Sequence, residues 1–236
     1  MTQRNRLLIL VACLLCSANT LWAELPNRLG IAHIGRASPL ENEVAIQWLG
    51  SGFLVDRECR VVTARHLFER TDRQNLVVRF LHPESTDRSR TFSARLIHED
   101  EEIDLAVLQF AEKTPRFCRG DAFAPFDLAE SIDPVALTGE SVRIAGYPML
   151  EGERPREIPI VRRGAIASAE LTWDGRPMLL LDLTGVPGFS GAPVILESTG
   201  EVVGLVFGPG RTRREYDLEW ATPLTGPDLE ERLDAR

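Results

Sequence analysis

From about residue 43 onward the chain is built of short apolar runs, alternating with polar positions and ended by Gly, Pro, Asp or Asn. A period of two belongs to strands with one buried face. The predicted strands are "EVAIQWLG", "GSGFLVD", "RVVTARH", "NLVVRFL", "TFSARLIHED" and "DLAVLQF", followed by "SVRIAGYP", "IVRRGAIAS", "PMLLLDLT", "APVILES" and "EVVGLVFG". Helical character is expected in two places only: a turn after His66 ("LFERTD"), and the tail "GPDLEERLDAR", where Pro227 and Asp228 suit a helix N-terminus. The segment "RFCRGDAFAPFDLAESIDP" divides the strands into two groups. The pattern is all-β, with a first barrel over about 40–118, a linker over about 119–137 and a second barrel over about 138–224. No internal repeat or low-complexity tract interrupts it.

The first 23 residues differ from the rest. Arg4 and Arg6 precede the apolar run "LLILVACLLC", and "LWA" ends on a small residue, which is the pattern of a signal peptide cut after Ala23. Residues 24–236 would then form an exported chain, periplasmic or secreted, with no membrane span left after cleavage. A second reading of "LVAC" is a lipoprotein box, with an anchor at Cys13. The formal net charge of −8 excludes nucleic acid and anionic membranes as natural partners, so "RTRR" at 211–214 is expected to be a solvated loop. Cys13 and Cys16 leave with the signal peptide, and Cys59 and Cys118 remain in an oxidising compartment, enough for one bridge.

The candidate chemistry centres on "VPGFSGAPV", where Ser190 stands in a glycine-rich turn. A serine hydroxyl is a poor nucleophile at neutral pH unless a base reaches it and a third group orients that base. All the histidines, His33, His66, His82 and His98, precede Ser190. An α/β-hydrolase needs its histidine after the nucleophile and G-x-S-x-G around it, whereas Ala192 replaces the last glycine here. A subtilisin order asks for alternating strands and helices, and a Ser-Lys dyad would have only Lys113 to use. The order His, Asp, Ser remains. Within residues 24–236 no two histidines or cysteines have metal-ligand spacing, and no cofactor is implied.

In "GSGFLVD" followed by "VVTARHLF", in "DLAVLQF", in "AGYP" and in "PGFSGAPV", the sequence resembles the trypsin-like, chymotrypsin-fold serine peptidases, in particular the bacterial ones related to HtrA proteases. The likeness runs over about residues 45–223 and implies two six-stranded antiparallel β-barrels with a short C-terminal helix. It implies a triad of His66, Asp104 and Ser190 that cuts peptide bonds through an acyl-enzyme, with the Gly188 and Ser190 N–H groups as oxyanion donors. Asp182 falls where HtrA-type sequences carry an aspartate of structural type. His33, His82 and His98 match no family position and are expected to be structural. The stretch after Ser190 is too short for the PDZ domain that HtrA proteins append.

The resemblance also carries a disulfide and a specificity. In the family's first barrel the strand ending at the histidine runs antiparallel to the one beginning at the aspartate, which brings Cys59 toward Cys118. The primary pocket maps onto Thr184, onto Leu205 to Gly208 including Phe207, and onto Trp220 to Thr222. None of these is acidic, and Glu219 is expected to alternate away from Trp220, so the expectation is small or medium apolar residues before the cut. Two positions depart from the family pattern. Phe189 replaces an Asp or Asn and excludes an ion pair with a new N-terminus, and Ala192 places a Cβ where it would restrict the turn. A protease-fold binding or scaffold protein is therefore the alternative to an endopeptidase, with a protein or peptide as partner in either case.

Overall fold

The computed structural model describes residues 28–40, 43–69, 73–82, 85–111, 118, 125–149, 158–208 and 218–234. The signal-peptide region with Cys13 and Cys16, Lys113, and the arginine cluster at 211–214 lie outside them.

Twelve strands close into two barrels. The first contains β1 (Ile31–Leu40), β2 (Glu43–Leu54), β3 (Arg60–Ala64), β4 (Leu76–His82), β5 (Ser85–Asp100) and β6 (Leu105–Phe110). The second contains β7 (Ser141–Gly146), β8 (Ile160–Trp173), β9 (Arg176–Asp182), β10 (Pro193–Leu196), β11 (Val202–Gly208) and β12 (Glu219–Pro223). The orders β1-β2-β3-β6-β5-β4 and β10-β11-β12-β9-β8-β7 are the same cycle, so one topology is used twice. Every paired strand runs antiparallel to its neighbours, and closure leaves no sheet edge unpaired.

Several elements differ from the sequence expectation. β1 was not foreseen, and the first barrel starts near residue 31 rather than 40, because His33, Gly35, Arg36 and Pro39 blur the apolar alternation. "EVAIQWLG" and "GSGFLVD" are one strand, β2. Its pairing with β1 jumps from Ile34↔Gly50 to Gly35↔Trp48, and this bulge at Leu49 is what looks like a break in the sequence. The expected linker contains a short helix, α1 (Pro134–Leu137), capped by the Asp133 carboxylate, which accepts from the Val135 and Ala136 N–H groups. The C-terminal helix, α2 (Gly226–Asp234), is where the tail pattern puts it.

Each barrel has its own apolar interior, the first around Ile34, Leu54, Val78 and Phe80, the second around Ile144, Ile166, Leu181 and Val206. A third buried cluster joins Phe53, Val62 and Leu105 of the first barrel to Tyr147, Ile195 and Leu205 of the second, and α2 adds Leu229 and Leu233 to it. The seam is therefore packed like a core. Cys59 and Cys118 are bonded, with Cα atoms 5.7 Å apart, inside the first barrel where β3 and β6 pair.

Candidate active site

β3 and β6 are antiparallel neighbours with Ala64 opposite Leu105, so the residues just beyond one strand meet those just before the other. Beyond Ala64 the chain enters a single 3-10 turn, Arg65–Phe68, which carries His66. Before Leu105 stands Asp104, buried and at φ 54°, a left-handed conformation that aspartate adopts more readily than most residues. Its carbonyl accepts from the Arg65 N–H at 2.8 Å, and its carboxylate accepts the His66 N–H at 2.8 Å. The other carboxylate oxygen lies 2.6 Å from His66 Nδ1. A carboxylate only accepts, so Nδ1 carries the proton and Nε2 is left as the unprotonated ring nitrogen. The Phe207 ring packs on the imidazole, with centroids 5.6 Å apart.

Ser190 comes from the second barrel, on the turn between β9 and β10. Two positive φ angles shape that turn, 97° at Gly188 and 82° at Gly191, and both positions exclude side chains. A Cβ on Gly188 would lie 2.3 Å from the Tyr147 carbonyl oxygen, and one on Gly191 would lie 2.3 Å from the Ser51 carbonyl oxygen and 2.8 Å from the Ala64 nitrogen. The turn is thus pressed against the end of β3, which delivers His66. Ser51 holds it there. Its N–H donates to the Ser190 carbonyl at 2.9 Å, and its hydroxyl donates to the Gly188 carbonyl at 2.6 Å while accepting the Tyr147 N–H at 2.8 Å. Thr63 in turn donates to the Ser51 carbonyl at 2.6 Å. Ser51 stands inside "GSGF", but neither it nor Thr63 carries a sequence signal for this supporting role.

Neither the Gly188 nor the Ser190 N–H donates to a protein acceptor among the described residues, so two backbone donors flank the serine unused. No hydrogen bond joins Ser190 Oγ to His66 among them either. Ala192, expected to restrict the turn, does not: it lies outside the left-handed region, is fully buried, and donates its N–H to the Phe189 carbonyl at 2.8 Å. Phe189 itself fills the second barrel's core and touches the Gly146 position.

Around this site Thr184 is exposed, Phe207 lies against His66, and Trp220 packs on Trp173 with centroids 5.6 Å apart. Asp182 is exposed at the end of β9. Glu219 does point away from Trp220's side, but inward: it is fully buried, and its carboxylate lies over Gly185, beside Thr184. Burial raises its carboxyl to about 7, with the Trp220 N–H opposing in part. Outside the site, His33 is buried and stacked between Trp48 and Tyr147, with Nδ1 2.8 Å from an Arg79 guanidinium nitrogen. Burial first, and the Arg79 charge second, lower its pKa to about 2.

Two closed six-stranded barrels, with a His-Asp pair at the end of one and a glycine-flanked serine turn of the other against it, define the chymotrypsin-like class of fold. A family model, the trypsin-like peptidase domain, matches residues 50–205, and the chain belongs to that family. Among solved structures it is similar to the MamO protease domain of Magnetospirillum magneticum in its apo form, at 19% identity and a TM-score of 0.63, covering 87% of this chain and 96% of that one. It is also similar to the serine endoprotease of Yersinia pestis, at 19% identity and a TM-score of 0.61, covering 89% of this chain and 65% of that one. No curated protein matches the chain in sequence.

Proposed function

We propose that the protein is an exported serine endopeptidase in which His66 takes the proton of Ser190, Asp104 holds the imidazole, and the Gly188 and Ser190 N–H groups stabilise the oxyanion. The observation that carries this reading is the double grip of Asp104 on His66, through the backbone N–H at 2.8 Å and the ring at 2.6 Å. A histidine with a merely structural role has no need of a buried carboxylate that sets its tautomer. The unused donor pair beside Ser190 supports the same chemistry, since one such donor is worth about 3 kcal/mol to a developing oxyanion. Residues 1–23 and the Cys59–Cys118 bridge fit an oxidising, exported location. The open link between Ser190 and His66 favours the second reading, a binding or scaffold protein on this fold, although such hydrogen bonds commonly tighten only when substrate enters.

A fluorophosphonate probe separates the two. It labels the wild type and spares Ser190→Ala and His66→Ala, each of which keeps the wild-type melting profile. Absence of label on folded wild-type protein, or turnover by Ser190→Ala, overturns the endopeptidase.

A further inference from the structure

His33 is a fully buried imidazole that the proposed chemistry does not use, and β1 sets it opposite two residues at once, Ser51 of β2 and Arg79 of β4. Residues directly opposite on paired strands project from the same face, so the three side chains are turned the same way. Arg79 donates to His33 Nδ1 at 2.8 Å, which leaves the ring's own proton on Nε2, and Nε2 has no hydrogen-bond partner among the described residues. What the imidazole offers instead is its faces. It stacks on Trp48 with centroids 4.0 Å apart and on Tyr147 with centroids 4.5 Å apart and planes 2° from parallel. Arg79 covers Trp48 as well, 4.1 Å from its ring centroid. Tyr147 is fully buried just past β7, and its hydroxyl, 3.5 Å from the Ile31 carbonyl, adds little to the hold on its ring. The stack is therefore what ties that ring to the first barrel.

The backbone around Tyr147 lies along the serine turn. Its N–H donates to the Ser51 hydroxyl at 2.8 Å, and that hydroxyl donates to the Gly188 carbonyl at 2.6 Å. Its carbonyl oxygen closes the space beside Gly188, 2.3 Å from where a Cβ would stand. Two residues on, the Met149 N–H donates to the Pro187 carbonyl at 2.7 Å. The Pro187 carbonyl and the Gly188 N–H are opposite ends of one trans peptide unit, so holding the first fixes the direction of the second. We infer that His33 is a positioning residue for the reaction: its ring fixes Tyr147, and through Tyr147 and the Ser51 hydroxyl it sets the direction of the Gly188 N–H. This inference rests on the proposed peptidase reading, in which that N–H meets the oxyanion.

The readout is the rate at which a fluorophosphonate labels Ser190 in the full chain, taken well below the melting temperature of each variant. His33→Gln keeps an acceptor for Arg79 but loses the ring, and the rate falls about tenfold. Tyr147→Leu lowers it likewise, and Tyr147→Phe, which keeps the stack, restores it. Ser51→Ala removes the link to Gly188 and costs about 100-fold, the scale of one lost oxyanion donor. His33→Gln combined with Ser51→Ala labels no more slowly than Ser51→Ala alone, because the first acts through the second. A purely structural His33 would leave the rate of the folded protein unchanged, or would multiply its cost onto that of Ser51→Ala, and either result overturns the inference. A second measurement needs no reaction: His33→Gln shifts the amide NMR signals of Gly188 and Ser190, and unmoved signals overturn the inference as well. Moved signals in a protein whose wild type takes no label uphold the coupling and sink the peptidase reading instead.

Discussion

Replacing Glu219 by glutamine shifts stability in the variant's favour progressively as pH rises from 4.5 to 7. The carboxyl moves from 4.5 in an exposed chain to about 7 in the fold, chiefly because burial penalises the charged form. The groups closest to it on its neighbours, Leu181 of β9 and Gly185 of the turn, are uncharged. Between those two values the unfolded chain has lost its proton and the folded protein retains it, so wild-type stability falls as pH rises through the interval. At about 1.4 kcal/mol per pH unit the loss reaches about 3 kcal/mol above pH 7. Glutamine has the same shape and no proton to lose. The stability difference between variant and wild type is therefore smallest near pH 4.5, grows with pH, and levels off above 7. Every other titrating group cancels in that difference. For a domain of this size 3 kcal/mol corresponds to roughly 10 °C in melting temperature. Urea titrations of both proteins at half-unit steps from pH 4.5 to 8.5 measure it directly. Glutamine's own unmet hydrogen bonds add an offset that does not vary with pH, so the slope is the readout. Parallel stability curves would refute the reasoning.

Asp104→Asn keeps the shape of the pair but offers His66 the wrong tautomer, and kcat/KM falls by about 10⁴; wild-type activity in that variant contradicts the role assigned to Asp104. His33, held neutral with a pKa lowered from 6.5 to about 2, makes the wild type acid-labile. Below 6.5 only the unfolded chain takes up the proton, so stability falls by about 3 kcal/mol between pH 6.5 and 4.5, and His33→Gln flattens that limb of the urea-derived curve. Cys59→Ala with Cys118→Ala opens a loop spanning 59 residues and costs about 4 kcal/mol in urea unfolding; an unchanged midpoint would show that the bond constrains nothing.

Most strands were legible because their alternation is set by burial on one face, as along β8 and β9. β1 was hidden by polar residues that are nevertheless buried: His33 is stacked between aromatic rings from β2 and from beyond β7, a partnership no local pattern displays. The pairing of His66 with Asp104 and the glycine-flanked turn at Ser190 were legible through their neighbours in sequence. Glu219 was placed correctly on the face away from Trp220, but its full burial was not legible, because a period of two separates the faces of a strand without saying what lies over each. What lies over this one is Gly185, and the absence of a side chain there is visible only once β9 and β12 are paired.

The first barrel gives more than two side chains to the site: Ser51, Thr63 and the end of β3 form the mould in which the serine turn is cast. Neither half of the chain contains both the His66–Asp104 pair and the serine turn. A chain still emerging, N-terminal half first, has the His-Asp pair without the serine turn, and a detached second barrel has the turn without the Ser51 contacts that hold it. On the proposed peptidase reading, the site is complete only after docking along the seam, and completion of folding is itself the latch.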